Sequence, residues 1–386
     1  MLKTVAIFTT TRAEFGLFAP LIEAIKNSKK LEYNLFVGGT HLKSNYGETI
    51  REIRENKFNI TGTFDYLLNN DSSASLSKSL GIATYELSNI FREYEFDFAC
   101  VLGDRFELLS IIGNAILFKR PIIHIHGGEK TEGAIDEQIR HMVTKAAHIH
   151  FVACEEYATN IERMGEAEWR IYNTGALGID NIVNEKKIQK SELFKKLNLD
   201  EERETVLMTY HPVTLEFEVP ISQQVKNIFS ALSKWGFQVV ITAPNIETER
   251  EKVMTFIRKK MSENTNYHFF DSLGFKNYHS LIPHCKFVIG NSSSGIIEVP
   301  FFKIPTVNIG SRQDGRIRHP SVIDTNYAVD SIRNGITKAL DQNFRKSLGD
   351  MEFKFGDGHA AEKMVRIINQ TRVDQNFLRK KITFQG

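Results

Sequence analysis

The sequence has few cysteines and no long apolar run. Its 386 residues include only Cys100, Cys154 and Cys285, which are far apart and show no CxxC spacing. We interpret them as reduced core thiols. The N-terminal apolar segment breaks at Thr9 and Arg12, too early for a signal peptide, and no later run has the length of a membrane span. The sequence therefore predicts a cytoplasmic protein without a membrane partner.

Neither sign of charge dominates the composition. Lysine and arginine number 49 against 47 aspartates and glutamates, a net charge of +2. This balance gives no field strong enough to predict nucleic-acid or membrane binding, but it is compatible with a small anionic ligand. Hydrophobic residues make up 41% and charged residues 25% of the chain, as in ordinary globular proteins. The length suits two domains.

Apolar, β-rich runs alternate with helical patterns along most of the chain. The predicted strands are 4–9, 33–37, 98–102, 122–126, 150–153, 205–209, 238–242, 267–270, 287–289 and 306–309. The predicted helices include 47–56, 107–118, 135–147, 222–235 and 247–262, with a short one from Gly295. Such alternation predicts an α/β protein of two Rossmann-like, doubly wound domains that face a cleft.

The expected domain boundary lies where strand signals pause. The segment that begins at Asn173 contains glycines and then many lysines and glutamates, without a buried strand. We therefore expect an N-terminal domain at 1–172 and a C-terminal domain at 173–370. The basic tail, 371–386, is either a disordered end or a strap that returns to the first domain.

The window 101–141 holds the densest group of ionisable residues and glycines. One apolar strand in it is followed by Asp104 and Arg105, and a second is followed by two glycines and Glu129. Ligands of parallel α/β sheets bind beyond the carboxyl ends of the strands. We therefore expect both clusters to face one crevice and to form the active centre.

His124, His126 and Glu129 form an HxHxxE pattern in this window. The residue types suit a metal, but no third histidine or cysteine pattern completes a ligand set, and we expect no metal. His124 lies deeper in the apolar run and is expected to be a core histidine, whereas His126 adjoins the glycines. On the next predicted helix, Asp136 and Arg140 are four residues apart, which is also the spacing of a simple helical ion pair.

The sequence IGNSSSGIIEVP, 289–300, predicts a phosphate-binding turn. A strand ends at its first glycine and a helix begins near Gly295, so that free N–H groups and the helix dipole would face an anion. Ser292 and Ser293 can donate to phosphate oxygens, and Glu298 can accept from ribose hydroxyls. The alternative is an N-capping serine turn that binds nothing.

Other candidate ligand residues follow neighbouring strands. Arg312, in IGSRQDGR, has a planar donor fork suited to phosphate. His211 closes the first strand of the second domain, where an imidazolium could hydrogen-bond a diphosphate. In the first domain Arg12 and Glu14 follow the first strand and His41 follows the second. Each of these could equally be an ordinary loop residue.

Eight motifs together resemble the hydrolysing UDP-N-acetylglucosamine 2-epimerases of bacterial sialic acid synthesis and the epimerase half of the bifunctional animal enzyme. In order they are TRAEFG, GTHL with YGETI, LGDRFE, HIHGGE, IDEQIRH, HPVT, GNSSSGIIEVP and GSRQDGR, within 4–369. The resemblance implies the GT-B fold, with UDP held mainly by the second domain.

The resemblance also implies roles for individual residues. The implied UDP contacts are Arg12, Arg105, His211, Ser292, Ser293, Glu298 and Arg312. The implied catalytic carboxylates are Asp104 and Asp136, with Arg140 nearby. Much of the family has HIEGGE where this chain has HIHGGE, so either His126 or Glu129 takes the task of the family's glutamate.

The implied reaction is loss of UDP from UDP-N-acetylglucosamine by elimination across C1 and C2. Water then adds to the 2-acetamidoglucal and gives free N-acetylmannosamine, without any cofactor. The alternatives are the same reaction on a UDP-2,4-diacetamido-trideoxyhexose, a GT-B glycosyltransferase, and a nucleotide-sugar binding protein without catalysis. The family also suggests a homodimer or homotetramer.

Overall fold

The apolar runs of the sequence form two parallel sheets. The structure, a computed structural model, describes residues 2–70, 72–132, 134–213, 218–244 and 249–383. The predicted helix start at 247, the final threonine of HPVT and the last three residues of the tail lie outside these residues. One compact unit contains Met1–Glu129, Asp136–Asn184 and Lys354–Gly386, and the other contains Lys130–Ile135 and Glu185–Phe353.

The first unit is built on a seven-stranded sheet. Its strands are β1 (Lys3–Thr9), β2 (Leu31–Gly38), β3 (Gly62–Phe64), β4 (Phe98–Leu102), β5 (Ile122–Ile125), β6 (Ile149–Val152) and β7 (Ile171–Asn173). Its helices before residue 185 are α1 (Arg12–Lys26), α2 (Ile50–Glu55), α3 (Ser73–Glu93), α4 (Leu108–Leu117), α5 (Asp136–Ala146), α6 (Glu155–Arg163) and α7 (Leu177–Asn184).

The second unit is built on a six-stranded sheet. Its strands are β8 (Thr205–Thr209), β9 (Gln238–Thr242), β10 (Tyr267–Phe270), β11 (Cys285–Gly290), β12 (Thr306–Ile309) and β13 (Val322–Thr325). Its helices are α8 (Lys190–Lys196), α9 (Ile221–Leu232), α10 (Arg250–Glu263), α11 (Gly274–Leu281), α12 (Ser294–Ile297), α13 (Val329–Leu340) and α14 (Gln342–Ser347). The chain then returns to the first unit and forms α15 (Ala360–Gln370) and α16 (Gln375–Leu378).

Both sheets are parallel and doubly wound. The strand order is β3-β2-β1-β4-β5-β6-β7 in the first and β10-β9-β8-β11-β12-β13 in the second. The order therefore reverses between β1 and β4, where Ile7 pairs with Cys100, and between β8 and β11, where Thr209 pairs with Gly290. These switch points are where ligands of such sheets bind. The predicted fold class is confirmed.

The central strands are buried on both faces, which explains their continuous apolar sequence. Every residue of β4 and of β8 is buried, as expected where helices cover both sides of a parallel sheet. The predicted strands 98–102, 205–209, 238–242, 267–270 and 306–309 have the observed bounds. Three short edge strands, β3, β7 and β13, were not predicted, because three or four residues carry little periodic signal. No described helix is long and apolar enough to cross a membrane.

The C-terminal tail packs on the first domain. That domain continues through α7, beyond the boundary expected at 172, and the chain rejoins it at Lys354. Arg170 donates to the carbonyl oxygen of Phe377 at 2.7 Å. The Lys380 ammonium donates to the carbonyl of Lys145 at 2.7 Å and to that of Ala147, at the C-terminal end of α5. A cation at this end of a helix is favourable, so the tail holds the helix that carries Asp136 and Arg140.

Glu166 is the buried anion of this attachment. Its carboxylate accepts from Lys145 at 2.6 Å, from Lys380 at 2.8 Å and from His150 at 3.3 Å. Burial alone would raise the pKa of Glu166, but the hydrogen bonds from these three residues outweigh it and lower the pKa to about 2. Because the folded-state pKa lies below the unfolded value, the ionised carboxylate stabilises the fold above pH ~4.5 and loses this effect as the pH falls toward ~2.

We expect Glu166→Gln to destabilise the protein by about 3 kcal/mol at neutral pH, because it leaves two lysines next to an uncharged partner in a buried site. The difference from the wild type should shrink below pH ~4.5, where the wild-type carboxylate also begins to lose its charge. Urea unfolding at several pH values measures both effects. The control is Glu156→Gln, which removes an exposed pair with Lys354 and should cost less than about 1 kcal/mol. Equal losses in the two variants would contradict this account.

Candidate active site

In the first domain, the polar residues follow four neighbouring strands. His41 follows β2, Glu14 follows β1, Asp104 follows β4 and His126 follows β5, and these strands are adjacent in the sheet. The carboxyl ends of parallel strands meet at one edge of the sheet, so all four residues belong to the same edge.

Arg140 on α5 organises one half of this edge. Its side chain is 1% exposed and donates to the carbonyl of Glu129 at 2.9 Å and to the Glu137 carboxylate at 2.8 Å. Its other terminal nitrogen forms an ion pair with Asp104. Burial lowers the pKa of Arg140, but the charges of Asp104, Glu129, Glu137 and Asp136 more than offset burial and raise it. The guanidinium thus connects the ends of β4 and β5 to the start of α5.

His126 has a left-handed backbone conformation. Its φ is +64°, in the left-handed region that a non-glycine residue rarely adopts. Its N–H bonds to the carbonyl of Phe151 at 3.0 Å, which helps to hold a conformation that costs on the order of 1–3 kcal/mol. Nδ1 lies 2.6 Å from Oε1 of Glu129, whereas Nε2 is buried and has no hydrogen-bond partner among the described residues. The pair therefore presents one imidazole nitrogen for proton transfer.

His124 is a core histidine. It is fully buried, with Nε2 2.8 Å from the carbonyl of Gly103 and Nδ1 3.3 Å from the Thr144 hydroxyl. Burial lowers its pKa to about 3, so the ring is neutral. Because both ring nitrogens of His124 are engaged, the HxHxxE pattern does not present two histidines to one metal ion.

Arg105 belongs to a second group at the same edge. Its Nε donates to Oε1 of Glu107 at 2.8 Å, and Thr10 also contacts that oxygen. Thr10 in turn donates its backbone N–H to Glu14 at 2.7 Å. Burial lowers the pKa of Arg105, but the charge and hydrogen bond of Glu107 outweigh it, and the pKa is raised. Glu14, proposed from the sequence as a ligand contact, is enclosed in this group.

His41 and Arg12 both contact residues of their own domain. His41 is fully buried, with its ring nitrogens 3.2 Å from the Thr9 hydroxyl and 2.8 Å from the Thr49 hydroxyl. Burial lowers its pKa to about 3. Arg12 is partly exposed and forms a 2.7 Å ion pair with Glu52. The structure thus places His41 as a support for Thr9 and leaves Arg12 nearer the surface.

In the second domain, Asn291 joins three strand ends. Its side chain accepts the backbone N–H of His211 at 2.7 Å and donates to the carbonyl of His211 at 2.9 Å. Its own carbonyl accepts from Arg312 at 3.3 Å and from Gln313 at 2.8 Å. His211 follows β8, Asn291 follows β11 and Arg312 follows β12. Asn291 therefore holds His211 through its side-chain amide and Arg312 through its backbone carbonyl.

The serine turn is followed by a very short helix. Ser292 and Ser293 are partly buried, and α12 has only four residues before the chain continues as a 3-10 turn. The macrodipole expected from a longer helix is therefore small, and hydroxyl and backbone N–H groups would bind an anion here. Glu298 accepts from the Ser294 hydroxyl and lies 3.6 Å from Nε2 of His279.

Sequence reasoning did not single out Thr10, Glu107 or Asn291. Each lies in or beside a motif that was noted, and each is within two residues of a candidate ligand residue. The available signal was a polar residue at the end of an apolar strand. Its pattern does not distinguish a side chain that faces a ligand from one that supports its neighbour.

Two doubly wound parallel sheets with polar switch points define the class of two-domain α/β proteins of GT-B type. The family model described as UDP-N-acetylglucosamine 2-epimerase matches residues 23–369. The chain belongs to this family, and the resemblance inferred from its motifs is confirmed.

The relatives and solved structures agree with this assignment. The GDP/UDP-N,N'-diacetylbacillosamine 2-epimerase (hydrolyzing) of Campylobacter jejuni is 36% identical, over 91% of this chain and 89% of its own. The UDP-N-acetylglucosamine 2-epimerase of Neisseria meningitidis serogroup B is 31% identical, over 95% of both chains. The crystal structure of UDP-GlcNAc 2-epimerase from Neisseria meningitidis bound to UDP-GlcNAc has a TM-score of 0.82 at 17% identity, over 96% of this chain and all of that chain. At that identity the structural likeness concerns the fold.

Gly290 permits the close approach of β11 to β8. Its φ is +137°, and a Cβ at this position would lie 1.9 Å from the carbonyl oxygen of Thr209. We expect Gly290→Ala to destabilise the protein by at least about 3 kcal/mol, because it combines backbone strain with a backbone clash. Gly236→Ala is the control in the same domain, since its Cβ would meet nothing within 4 Å, and it should change stability by less than about 1 kcal/mol. Urea unfolding of both variants tests this, and a small loss in Gly290→Ala would contradict it.

Proposed function

We propose that the protein is a hydrolysing 2-epimerase that converts UDP-N-acetylglucosamine to UDP and free N-acetylmannosamine. The observation that carries this proposal is the His126–Glu129 pair beside the buried Arg140 at the switch-point edge of the first sheet, with a buried imidazole nitrogen that has no hydrogen-bond partner among the described residues. Family membership supplies the substrate class. We place the reaction in the cytoplasm of a bacterium, in a homodimer or homotetramer, where it supplies sialic acid or capsule synthesis.

The first half of the reaction is an elimination. The bond between C1 and the diphosphate oxygen breaks, and a carboxylate, Asp104 or Asp136, takes the proton from C2. The products of this half are UDP and 2-acetamidoglucal. The C2 proton is weakly acidic in the ground state, so charge must first develop on the departing diphosphate. Cationic and hydroxyl groups stabilise that charge, and we assign this role to Arg105, His211, Arg312 and the two serines after β11.

The second half of the reaction is a hydration. A proton is delivered to C2 of the glycal on the face opposite to the one that lost it, and the hydroxide equivalent of a water molecule adds to C1. We assign the delivery to Nε2 of His126, because Nδ1 is held by Glu129 and Nε2 has no other described partner. Glu129 thereby orients the ring and supports the charge that the ring carries after protonation. No redox step occurs in either half.

UDP-N,N'-diacetylbacillosamine is the second candidate substrate. The 36% identical relative from Campylobacter jejuni is named for GDP/UDP-N,N'-diacetylbacillosamine, and a 30% identical relative from Legionella pneumophila is named for UDP-N,N'-diacetylbacillosamine. Both candidates have the acetamido group at C2 and the diphosphate at C1 on which the proposed chemistry acts. They differ at C4 and C6, so one protein can be assayed with both.

Incubation of the purified protein with UDP-N-acetylglucosamine in D₂O, without an acceptor, tests the reaction directly. We expect UDP and N-acetylmannosamine with deuterium at C2, detected by NMR and mass spectrometry. A parallel incubation with UDP-N,N'-diacetylbacillosamine gives the ratio of kcat/KM for the two sugars. Faster turnover of the diacetamido sugar would assign that substrate instead.

Other outcomes of this assay would overturn the proposal. A product that is still linked to UDP would indicate a non-hydrolysing epimerase. Unchanged sugar nucleotide in both incubations would indicate a binding protein or a glycosyltransferase that needs an acceptor. Addition of candidate acceptors then separates these last two.

We expect His126→Asn to lower kcat by roughly 10²- to 10⁴-fold, the usual contribution of a positioned acid or base. Asparagine tolerates a left-handed backbone and can still donate to Glu129, so the thermal midpoint should stay close to that of the wild type. The control is His141→Asn on α5, where the histidine is half exposed and contacts Glu137, and it should retain turnover. Full activity in His126→Asn would assign proton delivery to Glu129 instead.

A further inference from the structure

One hydroxyl group contacts two buried carboxyl groups at the edge of the first sheet. Oγ1 of Thr10 lies 3.1 Å from Oε2 of Glu14 and also contacts Oε1 of Glu107. The side chains come from the end of β1, from α1 and from the start of α4. Glu14 is 4% and Glu107 1% exposed, so water does not separate the two acids from the hydroxyl.

The number of protons at this contact constrains its charge. A threonine hydroxyl has one hydrogen and can donate to one acceptor, whereas an ionised carboxylate can only accept. If both carboxyl groups were ionised, Thr10 could donate to one of them and would face the other with a lone pair. A buried contact of that kind is unfavourable. One of the two carboxyl groups therefore carries a proton and donates it to Thr10.

The partners of the two acids identify the protonated one. Glu107 accepts from the guanidinium of Arg105 at 2.8 Å. The positive charge of Arg105 therefore compensates the negative charge of an ionised Glu107. Among the described residues, the other donors to Glu14 are uncharged, namely the Thr10 N–H at 2.7 Å and the Thr9 hydroxyl at 3.4 Å. Burial, followed by the charge of Glu107, raises the pKa of Glu14 to about 7, which agrees with the hydrogen-bond count.

We propose that Glu14 is a protonated positioning residue, in a chain Glu14–Thr10–Glu107–Arg105 that fixes the Arg105 guanidinium for the diphosphate of the substrate. The inference rests on the proposed function, since a sugar nucleotide supplies the diphosphate. Each link has a defined direction: Glu14 donates to Thr10, Thr10 donates to Glu107, and Arg105 donates to Glu107. Arg105 is partly exposed, and in the described part of the chain its terminal nitrogens have no hydrogen-bond partner, so they can donate to phosphate oxygens.

Four of the groups that face Glu14 keep their charge state near neutral pH. The titratable and charged groups that face it are His41, Tyr66, Cys100, Arg105 and Glu107. Burial raises the pKa of Tyr66 and that of Cys100, which stay uncharged. Burial lowers the pKa of His41 to about 3, so its ring stays neutral, and the pKa of Arg105 is raised. Glu14 is therefore the group whose titration would alter the chain.

The chain should weaken as the pH rises. Below pH about 7 Glu14 keeps its proton and Thr10 is free to donate to Glu107. Above that pH the ionised Glu14 competes for the Thr10 hydrogen and repels Glu107, so Arg105 loses its fixed position. KM for the UDP-sugar is therefore expected to rise above the pKa and to level off roughly tenfold higher, the effect of weakening one charge-assisted hydrogen bond, whereas kcat changes less, because Arg105 binds the diphosphate both before and during the reaction.

Steady-state kinetics of two sets of variants test the chain. Glu14→Gln keeps a donor toward Thr10 at every pH, so its KM should stay level across the range in which the wild-type KM rises. Thr10→Val removes the link and should raise KM roughly tenfold at pH about 6, the effect of weakening one charge-assisted hydrogen bond. Thr10→Ser restores the hydroxyl and should restore KM. The thermal midpoint of each variant shows whether it is folded.

Infrared difference spectroscopy tests the proton itself. The carbonyl stretch of a protonated carboxyl group is resolved from that of a carboxylate. The wild type minus Glu14→Gln spectrum should contain the protonated band below pH about 7, where Glu14 keeps its proton, and lose it above. Glu107→Gln should retain this band and still have a raised KM, because the charge that holds Arg105 is gone.

Several results would overturn the inference. They are a protonated band that disappears in Glu107→Gln and persists in Glu14→Gln, a Glu14→Gln variant whose KM follows the wild-type pH profile, and a Thr10→Ser variant that fails to restore KM although it is folded. A wild type that releases UDP from neither sugar nucleotide overturns the proposed function, and with it the role of Arg105. The first three results leave the proposed function intact, so the two failures are distinguishable.

Discussion

The first domain depends on a buried cation, the guanidinium of Arg140. Removing such a charge from water costs several kcal/mol, which only good geometry and additional hydrogen bonds repay. Here an ion pair with Asp104, a bond to the carbonyl of Glu129 and a bond to Glu137 provide them. The guanidinium holds this position only if α5 is held, and the ammonium of Lys380 bonds the last carbonyls of that helix. A chain of contacts therefore runs from the C-terminal tail to the residues proposed for chemistry.

In both domains the candidate residues lie where the strand order of the sheet reverses, but the residue types differ between the two domains. In each sheet the strand order reverses once, and the candidate residues follow the strands on both sides of that reversal. At the first reversal the sequence places carboxylates, the buried Arg140 and a histidine, which suit proton transfer. At the second it places hydroxyls, a histidine and an arginine that Asn291 holds together, which suit an anion. The residues proposed for proton transfer thus lie at the first sheet, whereas those proposed for diphosphate binding come from both sheets, because Arg105 follows β4.

The sequence predicts well those features that an apolar strand and its end define. The central strands and the domain class follow from the continuous runs, and Asp104, His126, His211 and Arg312 became candidates because they follow such strands. Edge strands of three or four residues, the length of α12 and the course of the tail depend on contacts distant in sequence. The direction of a side chain at a strand end depends on them too. His41 occupies an expected position, yet its ring faces Thr9 and Thr49 inside the domain.

His126 and Glu129 are best understood as one hydrogen-bonded pair, in which each residue suits the other. Much of the family, by the motif resemblance, has glutamates at both positions, and two neighbouring buried carboxylates disfavour ionisation of both. A histidine removes that conflict, because its Nδ1 lies 2.6 Å from Glu129 and can donate to it while Nε2 stays available. The left-handed backbone at His126 is the cost of this arrangement, since it aims the ring at a partner only three residues later.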